Sequence, residues 1–241
     1  MRVMTMYKLP KYWDEILRFS SVNTELEIKT LDNIFKKNQV KTILDVACGT
    51  GRHSVPLAKL GYKVTGLDYS SYQIKKAKDN ARKEKVSPQF LVKDANKFIS
   101  QKKFDAAICM WSTIGEEPLK YQKVIKNVCQ SLKVEGIFVI DNKNWKSARK
   151  DTGVKNSSYQ ERGLSLKRKL WDRYTENFRV RQVVFEINGK KYEELWVTHL
   201  LNTKAWIAEL KRAGFKAFEI FHDYKKRRLK SPKRILVVAK K

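Results

Sequence analysis

Val40-Lys41-Thr42-Ile43-Leu44-Asp45-Val46-Ala47-Cys48-Gly49-Thr50-Gly51-Arg52-His53 is the stretch from which the fold can be read. Its first half is β-branched and apolar, the composition of a strand buried on both faces. Small residues follow. A helix is then expected from about Arg52 to Leu60, closed by Gly61 as its C-terminal cap. A strand running through a glycine pair into a helix marks the crevice where open α/β sheets bind ligands.

The same rhythm continues on both sides. Upstream, Thr24-Glu25-Leu26-Glu27 has the form of a capping box, and Ile28, Leu31, Ile34 and Phe35 recur at helical spacing. Downstream, strands are expected at 62–67, 88–92, 104–110 and 136–140, with helices at 71–85, 118–132 and, briefly, 95–100. Strands alternating with helices indicate right-handed crossover units and a doubly wound parallel sheet. After Asn144 the rhythm changes: 164–174, 178–187 and 191–201 read as extended segments without an intervening helix. Asn188-Gly189 joins the last two, because a type I′ turn needs positive φ at both positions. Thr203 is then expected to cap a helix ended by Gly214, with strands at 215–221 and 235–239.

The expected fold class is therefore α/β, a mostly parallel seven-stranded Rossmann-like sheet with an antiparallel β insertion before the last helix. Its expected divisions are an N-terminal helical segment (1–38), a cofactor-binding core (39–149), an insertion acting as a substrate lid (150–202) and a C-terminal helix with two strands completing the core (203–241).

Composition narrows the class. A chain of 241 residues can bury a core without disulfides, and its 42% hydrophobic content is that of a globular protein. Cys48, Cys109 and Cys129 form no CxxC pair, and His53, His199 and His222 are too scattered for a zinc site, so no metal is expected. No apolar run reaches the ~20 residues of a membrane span, and Pro10 and early charges argue against a signal peptide. The expectation is a cytoplasmic protein with no membrane contact. A net charge of +27 attracts polyanions, though a lysine-rich surface gives the same number.

The chemistry lies at the strand ends. A dinucleotide loop wants Gly-x-Gly-x-x-Gly, whereas the third position here is Ser54. Asp45 would repel a pyrophosphate but attract an ammonium or sulfonium, by ~1–4 kcal/mol at 4 Å. Asp68 ends the second strand, where an acid accepts both ribose hydroxyls. Asp94 follows the third strand, where a carboxylate can accept from an exocyclic amine. The loop therefore favours a cationic nucleoside.

These residues resemble the class I S-adenosylmethionine-dependent methyltransferases, over about 40–142 and more loosely in the last strands. The resemblance implies S-adenosylmethionine as cofactor. Asp45, Ala47, Cys48, Gly49 and Gly51 would hold its methionine end, Asp68 its ribose, and Asp94 and Ala95 its adenine, with Tyr69 also at the cofactor. Met110 would lie beside the transferred methyl. Ala47 stands where the family carries its first loop glycine. In-line displacement from an activated sulfonium needs alignment more than a dedicated base, and no catalytic residue is assigned.

Substrate-pocket candidates are Trp111, Ser112, Tyr192, Trp196 and His199. Alternation places Tyr192, Glu194, Trp196 and Thr198 on one face of a strand and Glu193, Leu195, Val197 and His199 on the other. A small-molecule acceptor is favoured. Cys109-Met110-Trp111-Ser112 lacks the Asn/Asp-Pro-Pro-aromatic motif of enzymes that methylate base amines, and no Pro-Cys pair occurs. RNA or another polyanion remains an alternative on the strength of Arg168-Lys169 and Lys225-Lys226-Arg227-Arg228-Leu229-Lys230. Protein substrates, and a non-catalytic cofactor-binding protein, are further alternatives. The sequence assigns no oligomeric state.

Overall fold

The computed structural model describes residues 23–148, 153–161, 164–226 and 232–241. The first helix, α1 (Thr24–Lys37), leads into β1 (Thr42–Val46), α2 (Ser54–Lys59), β2 (Lys63–Asp68), α3 (Ser71–Lys83) and β3 (Gln89–Val92). The core continues through β4 (Phe104–Cys109), α4 (Tyr121–Ser131) and β5 (Leu132–Lys143). Strands β6 (Lys155–Glu161), β7 (Leu164–Tyr174), β8 (Phe178–Ile187) and β9 (Lys190–His199) follow. Then come α5 (Thr203–Arg212), β10 (Ala217–His222) and β11 (Arg234–Lys240).

The main sheet has seven strands in the order β10-β11-β5-β4-β1-β2-β3. Neighbours from β5 to β3 run parallel, and β11 is antiparallel to both β5 and β10. Strand order reverses at β1, which pairs with β2 on one edge and β4 on the other. A crevice opens beyond the carboxyl ends of strands at such a switch point.

Both faces of the sheet are covered. Leu44, Phe138 and Ile140 pack with Val124, Val128, Trp206 and Leu210 of α4 and α5. Their neighbours Ile43, Ile137 and Val139 pack on the opposite face with Leu31, Phe35 and Leu57 of α1 and α2. Period-2 alternation along β1 and β5 thus serves two cores at once, which is why residues 43–44 and 136–140 are apolar without a break.

A separate four-stranded antiparallel sheet, β6-β7-β8-β9, follows β5. Asn188 (φ 49°) and Gly189 (φ 80°) make the β8–β9 turn with both residues left-handed, as the Asn-Gly pair requires. Buried and exposed residues alternate along β8, so Arg179, Arg181, Val183, Phe185 and Ile187 share the inner face. On β9 the inner face carries Tyr192, Glu194, Trp196 and Thr198.

Four local expectations are corrected. Asn23, not Thr24, caps α1: its side chain accepts from the Leu26 amide, while Thr24 Oγ1 accepts from Arg52 instead. Asn202, not Thr203, caps α5, accepting from the Ala205 amide. Residues 95–97 form a turn and 98–100 are irregular, not a helix, because Asp94 ties down the amide and side chain of Asn96. The second sheet has a fourth strand, β6, whose sequence KNSSYQE has no apolar alternation to announce it.

Candidate active site

Two carboxylates stand at the base of the crevice, at the C-terminal ends of β1 and β2. Asp45 is 2% exposed and Asp68 6% exposed. Ser54, the first residue of α2, donates its hydroxyl to Asp45 Oδ2 at 2.6 Å. Asp68 accepts the Ser70 amide on Oδ1 (2.9 Å) and the Gly49 amide on Oδ2 (3.0 Å). Each carboxylate oxygen has two lone pairs, so each oxygen of Asp68 can accept again from a ligand. Burial pushes Asp45 up to about 7, with the nearby Asp68 charge adding to the rise, and pushes Asp68 up to about 6. A cation between them would relieve both strains.

The connecting loop is shaped by backbone geometry. Cys48 donates its amide to Leu67 O at 2.9 Å, locking the loop onto β2. A Cβ on Gly66 would lie 2.9 Å from Cys48 Sγ and from Phe90, so only glycine lets the loop approach there. Gly51 (φ +81°) turns toward α3 and β3, where a Cβ would crowd Phe90, Ala77 and Val55. Ala47 also has positive φ, 57°, a conformation that costs a non-glycine residue roughly 1–2 kcal/mol.

Asp45, Asp68 and this loop form one wall of a cleft that opens to solvent. Arg52, His53 and Tyr69 add to that wall, and Met110, Trp111, Thr113, Glu116 and Glu117 form the other. The second wall is reached by a sharp bend after β4, where Trp111 (φ 64°) and Ser112 (φ 68°) are both left-handed. Asp141 of β5 holds the bend: its Oδ2 accepts the Trp111 amide at 2.9 Å and its carbonyl accepts the Ser112 amide at 2.7 Å.

Asp141 belongs to a buried network under the cleft. Arg234 Nη2 donates to it at 2.6 Å, and the Tyr224 hydroxyl lies between Asp141 Oδ2 (3.2 Å) and Glu27 Oε1 (3.1 Å). Glu27 also pairs with Arg52 and with His53 Nε2 (2.8 Å). Burial alone would raise the Glu27 carboxyl, but the His53 hydrogen bond and the Arg52 charge bring it down to about 2. Burial and Arg52 hold His53 below its ordinary value, so its Nε2–H donates from a neutral ring. The network ties α1, α2, β5 and β11 together beneath the bend.

The second sheet docks on the same bend. Glu117 donates its amide to Val197 O at 2.9 Å, and Glu116 bridges to Thr198. His199 Nε2 lies 3.0 Å from Glu117 Oε1, its ring flanked by Tyr121 and Phe178.

A family model described as a methyltransferase domain matches residues 43–136. A carboxy-S-adenosyl-L-methionine synthase of Nautilia profundicola is 30% identical over 84% of this chain and 80% of its own length. The chain belongs to the class I S-adenosylmethionine-dependent methyltransferases. A glycine/sarcosine N-methyltransferase of Aphanothece halophytica is 32% identical over 55% of this chain and 51% of its own length. The chain spans about half the length of the first curated relatives it matches. A methyltransferase structure from Clostridium acetobutylicum superposes with a TM-score of 0.82 at 18% identity, covering 97% of each chain, which shows the shared fold.

Asp45, Ala47, Cys48, Gly49, Asp68, Tyr69, Met110 and Trp111 converge on the cleft. Other candidates stand apart from its walls. Gly51 serves packing, Ala95 sits in the core, and Asp94 is turned to Asn96. Ser112 is buried behind the bend, accepting the Lys143 amide. Trp196 and Tyr192 lie on the inner face of the second sheet, Trp196 donating to Glu194 and Tyr192 lying under Lys190. His199 reaches the cleft only through Glu117. Arg52, His53, Glu116 and Glu117 were not singled out from the sequence. The first two lie inside the motif that opens the site, a signal that could have found them.

Of the basic clusters, Arg168 lies on the inner face of the second sheet beside Ser157, and Lys226 pairs with Glu219. Residues 227–230 fall outside the described residues. No helix among the described residues is long and apolar enough to cross a membrane.

Proposed function

We propose that this chain transfers a methyl group from S-adenosylmethionine to a small molecule, with the cofactor held between Asp45 and Asp68. The observation that carries this reading is the pair of buried carboxylates lining one cleft. Their burial is unfavourable unless a cation with hydroxyl donors fills the space between them. Asp68 would accept the ribose hydroxyls, and Asp45 would face the ammonium end. When bound, the sulfonium supplies an activated methyl group.

The chain's own part is alignment. Met110 and Trp111 wall the cleft where the acceptor would approach, and the Trp111 face suits a cation, a contact of ~0.5–2 kcal/mol. The second sheet acts as a lid, meeting the core at Glu116 and Glu117. Glu116 lines the cleft at the acceptor end, and burial raises its carboxyl above its ordinary value. Relatives named for glycine, sarcosine and ubiquinone biosynthesis support a small acceptor.

Calorimetric titration tests the reading. S-adenosylmethionine should give saturable heat and NAD none, since the loop presents Asp45 where a pyrophosphate would sit. Heat with NAD and none with S-adenosylmethionine would overturn it.

A further inference from the structure

Beyond the cofactor cleft, the inner face of the lid carries a cluster of cations with too few acids to match it. Arg179 of β8 is a nearly buried guanidinium, its side chain 5% exposed, stacked 5.0 Å from the Trp145 ring. Its Nη2 donates to Thr198 Oγ1 at 2.7 Å, and Glu116 Oε1 lies 3.6 Å away, beyond hydrogen-bond range. Its Nε is buried and has no partner among the described residues. Two residues along the same face, Arg181 grips Asp172 with both forks at 2.7 Å. Asp172 is therefore committed to Arg181, with the Tyr174 hydroxyl approaching the same carboxylate at 3.5 Å.

Lys143 completes the group from the core side, at the end of β5. Among the described residues its ammonium has no hydrogen bond or ion pair. Burial, then the charges of Arg181 and Arg179, push it down to about 8. Burial likewise favours the neutral form of Glu116. Arg179, Arg181 and Lys143, with Arg168 farther along the same face, thus meet Asp172, already paired with Arg181, Glu116, 3.6 Å from Arg179, and Glu194, which accepts from Trp196. Such an excess is costly unless an anion arrives to share the free donors.

Position ties the cluster to the reaction. Glu116 lines the cofactor cleft and is also the acid nearest Arg179. The Lys143 amide is bonded to Ser112 Oγ, one residue from Trp111. The cluster therefore lies on the acceptor side of the cleft, under the lid. We propose that the acceptor is an anionic small molecule whose carboxylate or phosphate group seats between Lys143, Arg179 and Arg181. This rests on the methyl-transfer reading above and names the class of substrate it would take.

The test uses the full chain loaded with S-adenosylhomocysteine and titrated with succinate or inorganic phosphate at constant ionic strength, read by tryptophan fluorescence. Trp145, stacked on Arg179, is the expected reporter. One of the two anions should saturate, and which one distinguishes carboxylate from phosphate. Lys143→Ala and Lys143→Gln should each weaken that binding at least fivefold and leave S-adenosylhomocysteine affinity unchanged. Lys63→Ala, at the opposite end of the sheet, should leave anion binding unchanged. No saturable binding of either anion, or less than a fivefold loss in both Lys143 variants, would overturn the proposal. Failure of the chain to bind S-adenosylhomocysteine at all would instead remove the methyl-transfer reading, and the proposal with it.

Discussion

Asp68→Asn perturbs the cofactor cleft at its best-defined point. Two amides, of Gly49 and Ser70, converge on the two oxygens of Asp68. An asparagine side chain offers only one oxygen, so one amide would face an NH2 group. Leaving a buried donor unmatched costs about 1–3 kcal/mol, and for a chain of this size each kcal/mol moves Tm by about 2–4 °C. Removing a buried charge beside Asp45 offsets part of that cost, so the variant should fold with a Tm lowered by less than about 10 °C. The ligand loses more. Hydrogen bonds to a charged acceptor contribute about 1.5–3 kcal/mol each, and the variant would lose one bond and the charge assistance of the other. A combined loss of about 2–4 kcal/mol corresponds to roughly thirty- to several-hundredfold weaker binding. Calorimetry with S-adenosylmethionine measures it, with circular dichroism confirming the fold. A folded variant binding within threefold of the native chain would refute the assignment of Asp68.

Other perturbations reach different parts of the account. Asp45 and Asp68 bind their protons more tightly in the folded chain (pKa about 7 and about 6) than at their ordinary value of 3.8. Their contribution to apo stability is therefore lost as pH rises from about 4 to about 7. A cationic ligand needs them ionised, so its affinity should rise over pH 5 to 8 with proton release, a profile flattened in Asp45→Asn; a flat native profile would contradict this. Asp141→Ala removes the partner of a buried Arg234 and should cost about 3–5 kcal/mol, visible as a Tm drop of at least about 6 °C. An unchanged Tm would show that the network under the cleft does not hold the bend. Ala47→Gly should relieve the left-handed strain and, after the entropy cost of glycine, stabilise by up to about 1 kcal/mol. A clear loss of stability in thermal melts would argue against the loop geometry.

The alternation of strands and helices from β1 to β5 was legible because the central strands β1, β4 and β5 are buried on both faces and so carry short apolar runs. Asp45, Gly49 and Asp68 were legible because strand ends and a glycine pair are local signals. What stayed hidden depends on distance in sequence. Nothing near Glu27 announces that it will meet His53 and Tyr224, 26 and 197 positions away. Arg179 and Glu116, 63 positions apart, likewise come within 3.6 Å only when the second sheet packs back on the core. One local misreading had a distant cause: Asn23 caps α1 while Arg52, 28 positions away, donates to the Thr24 hydroxyl. Alternation separated the two faces of β9 but not which one points inward. The structure turns Trp196 in, and places His199 against Glu117 at the strand's end.

Methyl transfer itself remains the most direct measurement. The chain, incubated with methyl-labelled S-adenosylmethionine and a cell extract separated into low-molecular-mass, RNA and protein fractions, should place label in the low-molecular-mass fraction, and Asp68→Asn should abolish most of it. Label confined to RNA or protein would contradict the small-molecule reading. No transfer to any fraction, from a chain that binds the cofactor, would contradict the enzyme.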